Sequence, residues 1–218
     1  SIEFEPFLLG LKRGYACVSL NYTLCPDTHY PLPVQEVKGA LRFLKKNAEK
    51  FHLDPDRIAV WGGSAGAFLA ALAVNSCDTG FLEEDLFGNS SISAKPAVLA
   101  LWYGFYDYFN DRPGRDDWMF QNFYGVDDLS SHQELITCSC PINHITNRSV
   151  PTFLQHGTAD NTVPYEKSVA YQKVLNAYPG RVCEIELLEG AEHADDRFFA
   201  PENVSKVFDF IDRNLPQK

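Results

Sequence analysis

The 218-residue chain lacks any run of about 18 apolar residues, so nothing in it reads as a membrane-spanning helix. It has no internal repeat and no low-complexity tract. It also lacks an initiator methionine and a signal-like N-terminus. The expectation is a chain that begins after something upstream has been removed, which leaves the compartment open, with the cytoplasm the default. Positive charge is short: 19 Lys+Arg stand against 29 Asp+Glu, a net −10. Such a chain repels phosphate backbones, so nucleic acid and anionic membrane surfaces are excluded as preferred partners.

Cysteine is too sparse, at six residues, for a disulfide scaffold. Cys17 and Cys183 sit in apolar, strand-like runs where a thiol acts as a small hydrophobe. Cys138-Ser139-Cys140 lacks the two-residue spacing of zinc and redox pairs, so no metal, redox site or cofactor is expected. The N-x-S/T triplets at Asn21, Asn89, Asn147 and Asn203 carry meaning only in a secreted protein.

What is present is an ordinary core former. Hydrophobic residues at 45% and charged residues at 22% argue for one folded domain rather than disorder. Short β-rich runs alternate with longer helical ones, which predicts an α/β fold with a mainly parallel sheet flanked by helices. Strands are expected at Tyr15–Tyr22, Arg57–Trp61, Ala97–Tyr103, Pro151–Gln155 and Val182–Leu188. Helices are expected at Pro33–Phe51, where apolar residues recur at spacings of three and four, and at Ala67–Val74, Tyr165–Ala177 and Pro201–Asn214. The single domain spans 1–218, with an aromatic-rich insertion or cap at 104–149.

Chemistry concentrates at strand ends. Gly62-Gly63-Ser64-Ala65-Gly66 is a G-x-S-x-G element between a predicted strand and a predicted helix, the context that makes Ser64 a nucleophile candidate. The rival reading is a Gly-rich turn with Ser64 as helix cap. A serine needs a base, and the base needs an orienting carboxylate. Asp160, in His156-Gly157-Thr158-Ala159-Asp160, follows one strand, and His193, in Gly190-Ala191-Glu192-His193, follows the next. The order Ser64, Asp160, His193 is the nucleophile–acid–base order of α/β-hydrolases. Asp107 is the competing acid. His156 reads as structural, bonded to backbone; Asp195 and Asp196 crowd His193 but read as solvated. His29, His52, His132 and His144 read as surface or loop residues.

These stretches, together with Gly14-Tyr15, Asn21-Tyr22, Asp54-Pro55-Asp56-Arg57-Ile58 and Val163-Pro164, resemble an α/β-hydrolase of the hormone-sensitive-lipase and acetyl/feruloyl-esterase type, the BD-FAE group. The resemblance covers nearly the whole chain in order. It implies a serine carboxylic-ester hydrolase acting through an acyl-enzyme on short-chain, acetyl or feruloyl esters, small or carbohydrate-linked. It also implies that Ser64, Asp160 and His193 form the triad and that the Ala65 N–H is one oxyanion donor. A serine peptidase of the prolyl-oligopeptidase type shares the H-G-x-x-D element, and a non-catalytic hydrolase-fold binding protein is the rival from another class.

The chain departs from the family upstream. The family's His-Gly-Gly-Gly-type loop, with the remaining oxyanion donors, and the strand before it have no counterpart here, and the first 14 residues read as the helix that would follow them. The N-terminal strands and oxyanion loop are therefore expected in a preceding segment outside this chain. Ten aromatics lie between Trp102 and Tyr124. They read as glue for the insertion, with Trp102, Tyr103, Trp118 and Phe120 as candidates to line an acyl or sugar cleft.

Overall fold

Four parallel strands in the order β1-β2-β3-β4 form the sheet of the computed structural model, which describes residues 5–84 and 91–217. The N-x-S/T site at Asn89 and the first four residues of the predicted N-terminal helix lie outside the described residues. The strands are β1 (Ala59–Gly63), β2 (Val98–Trp102), β3 (Thr152–Gly157) and β4 (Cys183–Leu188). Around them run α1 (Glu5–Lys12), α2 (Leu32–Lys46), α3 (Ala65–Asn75), α4 (Arg115–Tyr124), α5 (Gln133–Ser139), α6 (Glu166–Asn176) and α7 (Pro201–Asn214).

The pleat explains the layers. In β2 every residue is buried, as expected for a strand covered on both faces. Val98, Ala100 and Trp102 point to one side, against Val204, Val207 and Phe208 of α7. Leu99 and Leu101 point to the other, against Ala67, Ala70 and Ala71 of α3 and Tyr171 and Leu175 of α6. The α3 helix is apolar all round and buried from Ala67 to Asn75, wedged between the sheet and α2. By contrast α7 is two-faced: it begins with Pro201 at its first turn, buries Phe208, Phe210 and Ile211, and exposes Asp209 and Asp212. Arg13, just past α1, bonds Asp209 at 2.7 Å and Asp212 at 3.0 Å and ties the N-terminal helix to α7.

The expected strand at Tyr15–Tyr22 is a correction. Residues 15–24 carry no regular structure, and β1 is the edge of the sheet. A β-strand exists only through a ladder partner, and among the described residues none pairs with this segment in a ladder. Its β-type residues are left outside, with Val18 59% and Leu20 39% exposed. The segment 104–149 holds α4 and α5, and its rings pack on α3: Phe105 stacks on Phe68 at 4.8 Å, and Phe123 meets Phe68 edge-on at 5.3 Å. Among the described residues no helix is long and apolar enough to cross a membrane.

Candidate active site

Parallel strands send their C-terminal ends to one side of the sheet, and the three candidate residues all follow such ends. Ser64 stands between the last residue of β1 and the first of α3, with φ 52° and ψ −121°. A non-glycine residue there stores about 1–3 kcal/mol of backbone strain. The turn is held by the Ser64 N–H on the Trp102 carbonyl at 3.0 Å and by the Ala67 N–H on the Ser64 carbonyl at 3.0 Å. Gly62 makes the turn possible: a Cβ there would stand 2.6 Å from the Gly66 carbonyl carbon and 2.8 Å from the Ala67 nitrogen. Gly66 has open space around it, so the turn's steric demand falls on the first glycine rather than on both flanks. The Ala65 N–H heads α3, where no intrahelical acceptor precedes it.

The loops after β3 and β4 meet over the sheet. The Thr158 N–H donates to the Leu188 carbonyl and the Ala159 N–H to the Ala191 carbonyl, both at 3.0 Å. That contact carries Asp160 to His193. Asp160 Oδ2 lies 2.7 Å from His193 Nδ1, and His193 Nε2 lies 2.9 Å from Ser64 Oγ. An ionised carboxylate can only accept, so Nδ1 carries the proton and Nε2 accepts from the serine hydroxyl. The side chain of Asp160 is fully buried and that of His193 is 18% exposed.

The carboxylate is saturated with donors. Oδ1 accepts the backbone N–H groups of Thr162 and Val163, each at 2.8 Å. Oδ2 accepts from His193 and, at 3.0 Å, from His156 Nε2. Burial pushes this carboxyl up, but the hydrogen bonds from His156, His193, Val163 and Thr162 outweigh it. They hold the group well below the ordinary carboxylate range. Arg112, from the insertion, donates to the carbonyls of Asn161 and Thr162 and so braces the same loop.

The other candidates fall elsewhere. Asp107 pairs with Lys167 at 3.0 Å. Asp195 caps a short 3₁₀ turn and is bound by Arg197, whose hydrogen bonds hold it far below its ordinary value; it is engaged there rather than left to solvent. Of the four aromatic cleft candidates, Trp102, Tyr103 and Phe120 are buried, at 4%, 6% and 2% exposed. Trp102 packs on Phe198 and Phe199 beneath the site, and Phe120 packs on Phe105 and Phe109. Only Trp118 is open, at 65%. Tyr103 sits edge-on to the His193 ring at 5.0 Å, with a φ of 36°. Sequence reasoning missed the contact of His156 with Asp160, although their spacing of four within one strand-end turn was there to be weighed.

A parallel sheet with a strained strand–turn–helix serine, and with an acid and a histidine on later strand-end loops, defines the α/β-hydrolase fold. The BD-FAE family model matches residues 5–175, and the chain belongs to the BD-FAE family. It is 31% identical over 188 residues to Esterase LipQ of Mycobacterium tuberculosis, covering 85% of this chain and 44% of that protein. The chain thus spans less than half the length of this relative. A truncated carbohydrate esterase from gut microbiota superposes with a TM-score of 0.84 at 23% identity, covering 95% of this chain and 76% of that one. The acetyl ester-xyloside bifunctional hydrolase of Caldicellulosiruptor lactoaceticus superposes with a TM-score of 0.74 at 25% identity, covering 89% and 70%.

Proposed function

We propose that this chain is the serine carboxylic-ester hydrolase unit of its protein, working through an acyl-enzyme. The observation that carries the reading is the unbroken chain from Ser64 Oγ to His193 at 2.9 Å and from His193 to Asp160 at 2.7 Å. Ser64 Oγ attacks the ester carbonyl while His193 Nε2 takes its proton and returns it to the leaving alcohol. Asp160 keeps the imidazole in the Nδ1–H tautomer and stabilises the imidazolium as it forms. The Ala65 N–H, at the head of α3, faces the growing oxyanion as one donor of the hole. Water then enters, and the same groups release the acid.

Short acyl groups on a carbohydrate or other small alcohol are the substrate class we favour. Two likenesses support it: LipQ is an esterase, and the Caldicellulosiruptor protein acts on acetyl ester and xyloside. The segment 104–149 would cover the site, with Trp118 as its one open ring among the four candidates.

The test is kinetic. Ser64→Ala and His193→Ala should each lower kcat on p-nitrophenyl acetate by several orders of magnitude, and the double variant should be little worse, because the pair acts as a unit. Asp160→Asn should cost less, and Asp107→Asn less still. A protein that cleaves a proline anilide and spares the acetate ester would instead be a peptidase.

A further inference from the structure

His156 is the one fully buried histidine of the site, and the proposed mechanism gives it no task. Its Nε2 faces two acceptors, Asp160 Oδ2 at 3.0 Å and the Val163 carbonyl at 3.1 Å. Two acceptors require a proton on Nε2. Its Nδ1 lies 2.7 Å from Ser168 Oγ on α6, which can donate to it. Both ring nitrogens thereby have a hydrogen-bonding partner. One carboxylate oxygen thus lies between two imidazoles, of which one reaches the serine and one does not.

We infer that His156 is a positioning residue of the triad, a neutral Nε2–H imidazole that shares Asp160 Oδ2 with His193, locks the carboxylate rotamer and tempers its basicity. The inference rests on the ester-hydrolase reading. A carboxylate with one donor fewer is a stronger base and a tighter partner for imidazolium. His156 therefore makes the imidazolium of His193 easier to discharge, which matters each time the proton must pass to the leaving alcohol. It also prevents the carboxylate from rotating off Nδ1, since both of its oxygens are engaged: Oδ1 by two backbone N–H groups and Oδ2 by two imidazoles.

The charged groups around this cluster are accounted for. From α6 come Ser168 and Lys167, the latter paired with Asp107 from the segment after β2. The buried Tyr106 phenol lies beside Ser168. Arg112 binds the carbonyls of the acid loop, and on the histidine loop Arg197 holds Asp195, whose carboxylate accepts the Glu192 N–H. None of these bonds the Asp160 carboxylate, whose hydrogen-bond partners are the two histidines and the two backbone N–H groups.

Two measurements test this. In the unmodified protein, ¹⁵N NMR of the imidazoles, with His156 assigned by its loss in His156→Gln, should show His156 neutral and protonated on Nε2 at pH 7. An imidazolium or an Nδ1–H tautomer would overturn the inference. In kinetics, His156→Leu should lower kcat roughly ten- to a hundred-fold with KM little changed. It should also move the acidic limb of the kcat/KM profile up by roughly half a pH unit. His156→Gln, which restores an amide donor, should recover part of both. Variants that lose only thermal stability, with the acidic limb unmoved, would make His156 a core residue and overturn the inference. Should the unmodified protein cleave no ester, the hydrolase reading fails, while the NMR result still decides how His156 holds Asp160.

Discussion

Gly157 lies so tightly against Ala191 that a Cβ at position 157 would stand 2.6 Å from the Ala191 carbonyl carbon. The two residues end β3 and lead to His193, so this backbone contact sets the distance between the acid and the base. Gly157→Ala should force the two loops apart. A displacement of about 1 Å near reacting groups costs on the order of a hundred-fold in kcat. The expected outcome is a folded variant with kcat on p-nitrophenyl acetate lowered to that extent. Unchanged kcat would show that the Asp160–His193 distance does not depend on this contact.

Phe120 and Trp118 share one helix and should behave oppositely. Phe120 is buried among Phe105, Phe109 and Tyr108. Phe120→Ala should therefore cost about 3–5 kcal/mol in denaturant unfolding. Trp118→Ala removes an exposed ring and should change stability within about 0.5 kcal/mol. If Trp118 serves as a platform for a sugar or aryl group, the same variant should raise KM for carbohydrate or aryl esters more than for simple acetates. Equal KM changes on all esters would leave it an ordinary surface residue.

Asp160 makes the fold acid-sensitive in a defined window. Its carboxyl is held below its unfolded value of about 4, so its contribution is complete above that pH and is lost as pH falls through the lower folded value. The stability difference between the wild type and Asp160→Asn, measured by urea unfolding, should be largest near pH 7 and smaller at about pH 3. A difference that stays constant between those two pH values would contradict this charge assignment.

Much of this architecture was legible in the sequence because it rests on local signals. Pro201 and the apolar spacing through Ile211 mark α7 from end to end, and the apolar runs at Ala97–Tyr103 and Val182–Leu188 overlap β2 and β4 to within a residue. The Ser64 turn was legible from its glycines and its strand-to-helix context. Tyr15–Tyr22 misled because strand composition is local whereas a ladder partner is not. The burial of the aromatic candidates was not legible for a related reason: residue type does not show what packs over a ring, and Trp102 lies on a strand covered on both faces while Phe120 packs on Phe105 and Phe109. The sequence marks His156 as a structural, backbone-bonded residue, and its Nε2 does meet the Val163 carbonyl. The sequence could not show that the same nitrogen reaches Asp160, because that depends on the fold of the turn between them.

Activation of Ser64 as a nucleophile by His193 and Asp160 is tested most directly by intact-mass analysis of the native protein after treatment with a fluorophosphonate probe, followed by peptide mapping. One adduct is expected, on Ser64, absent in Ser64→Ala and formed far more slowly in His193→Ala. No adduct at neutral pH, an adduct on another residue, or labelling as fast in His193→Ala as in the wild type would contradict it.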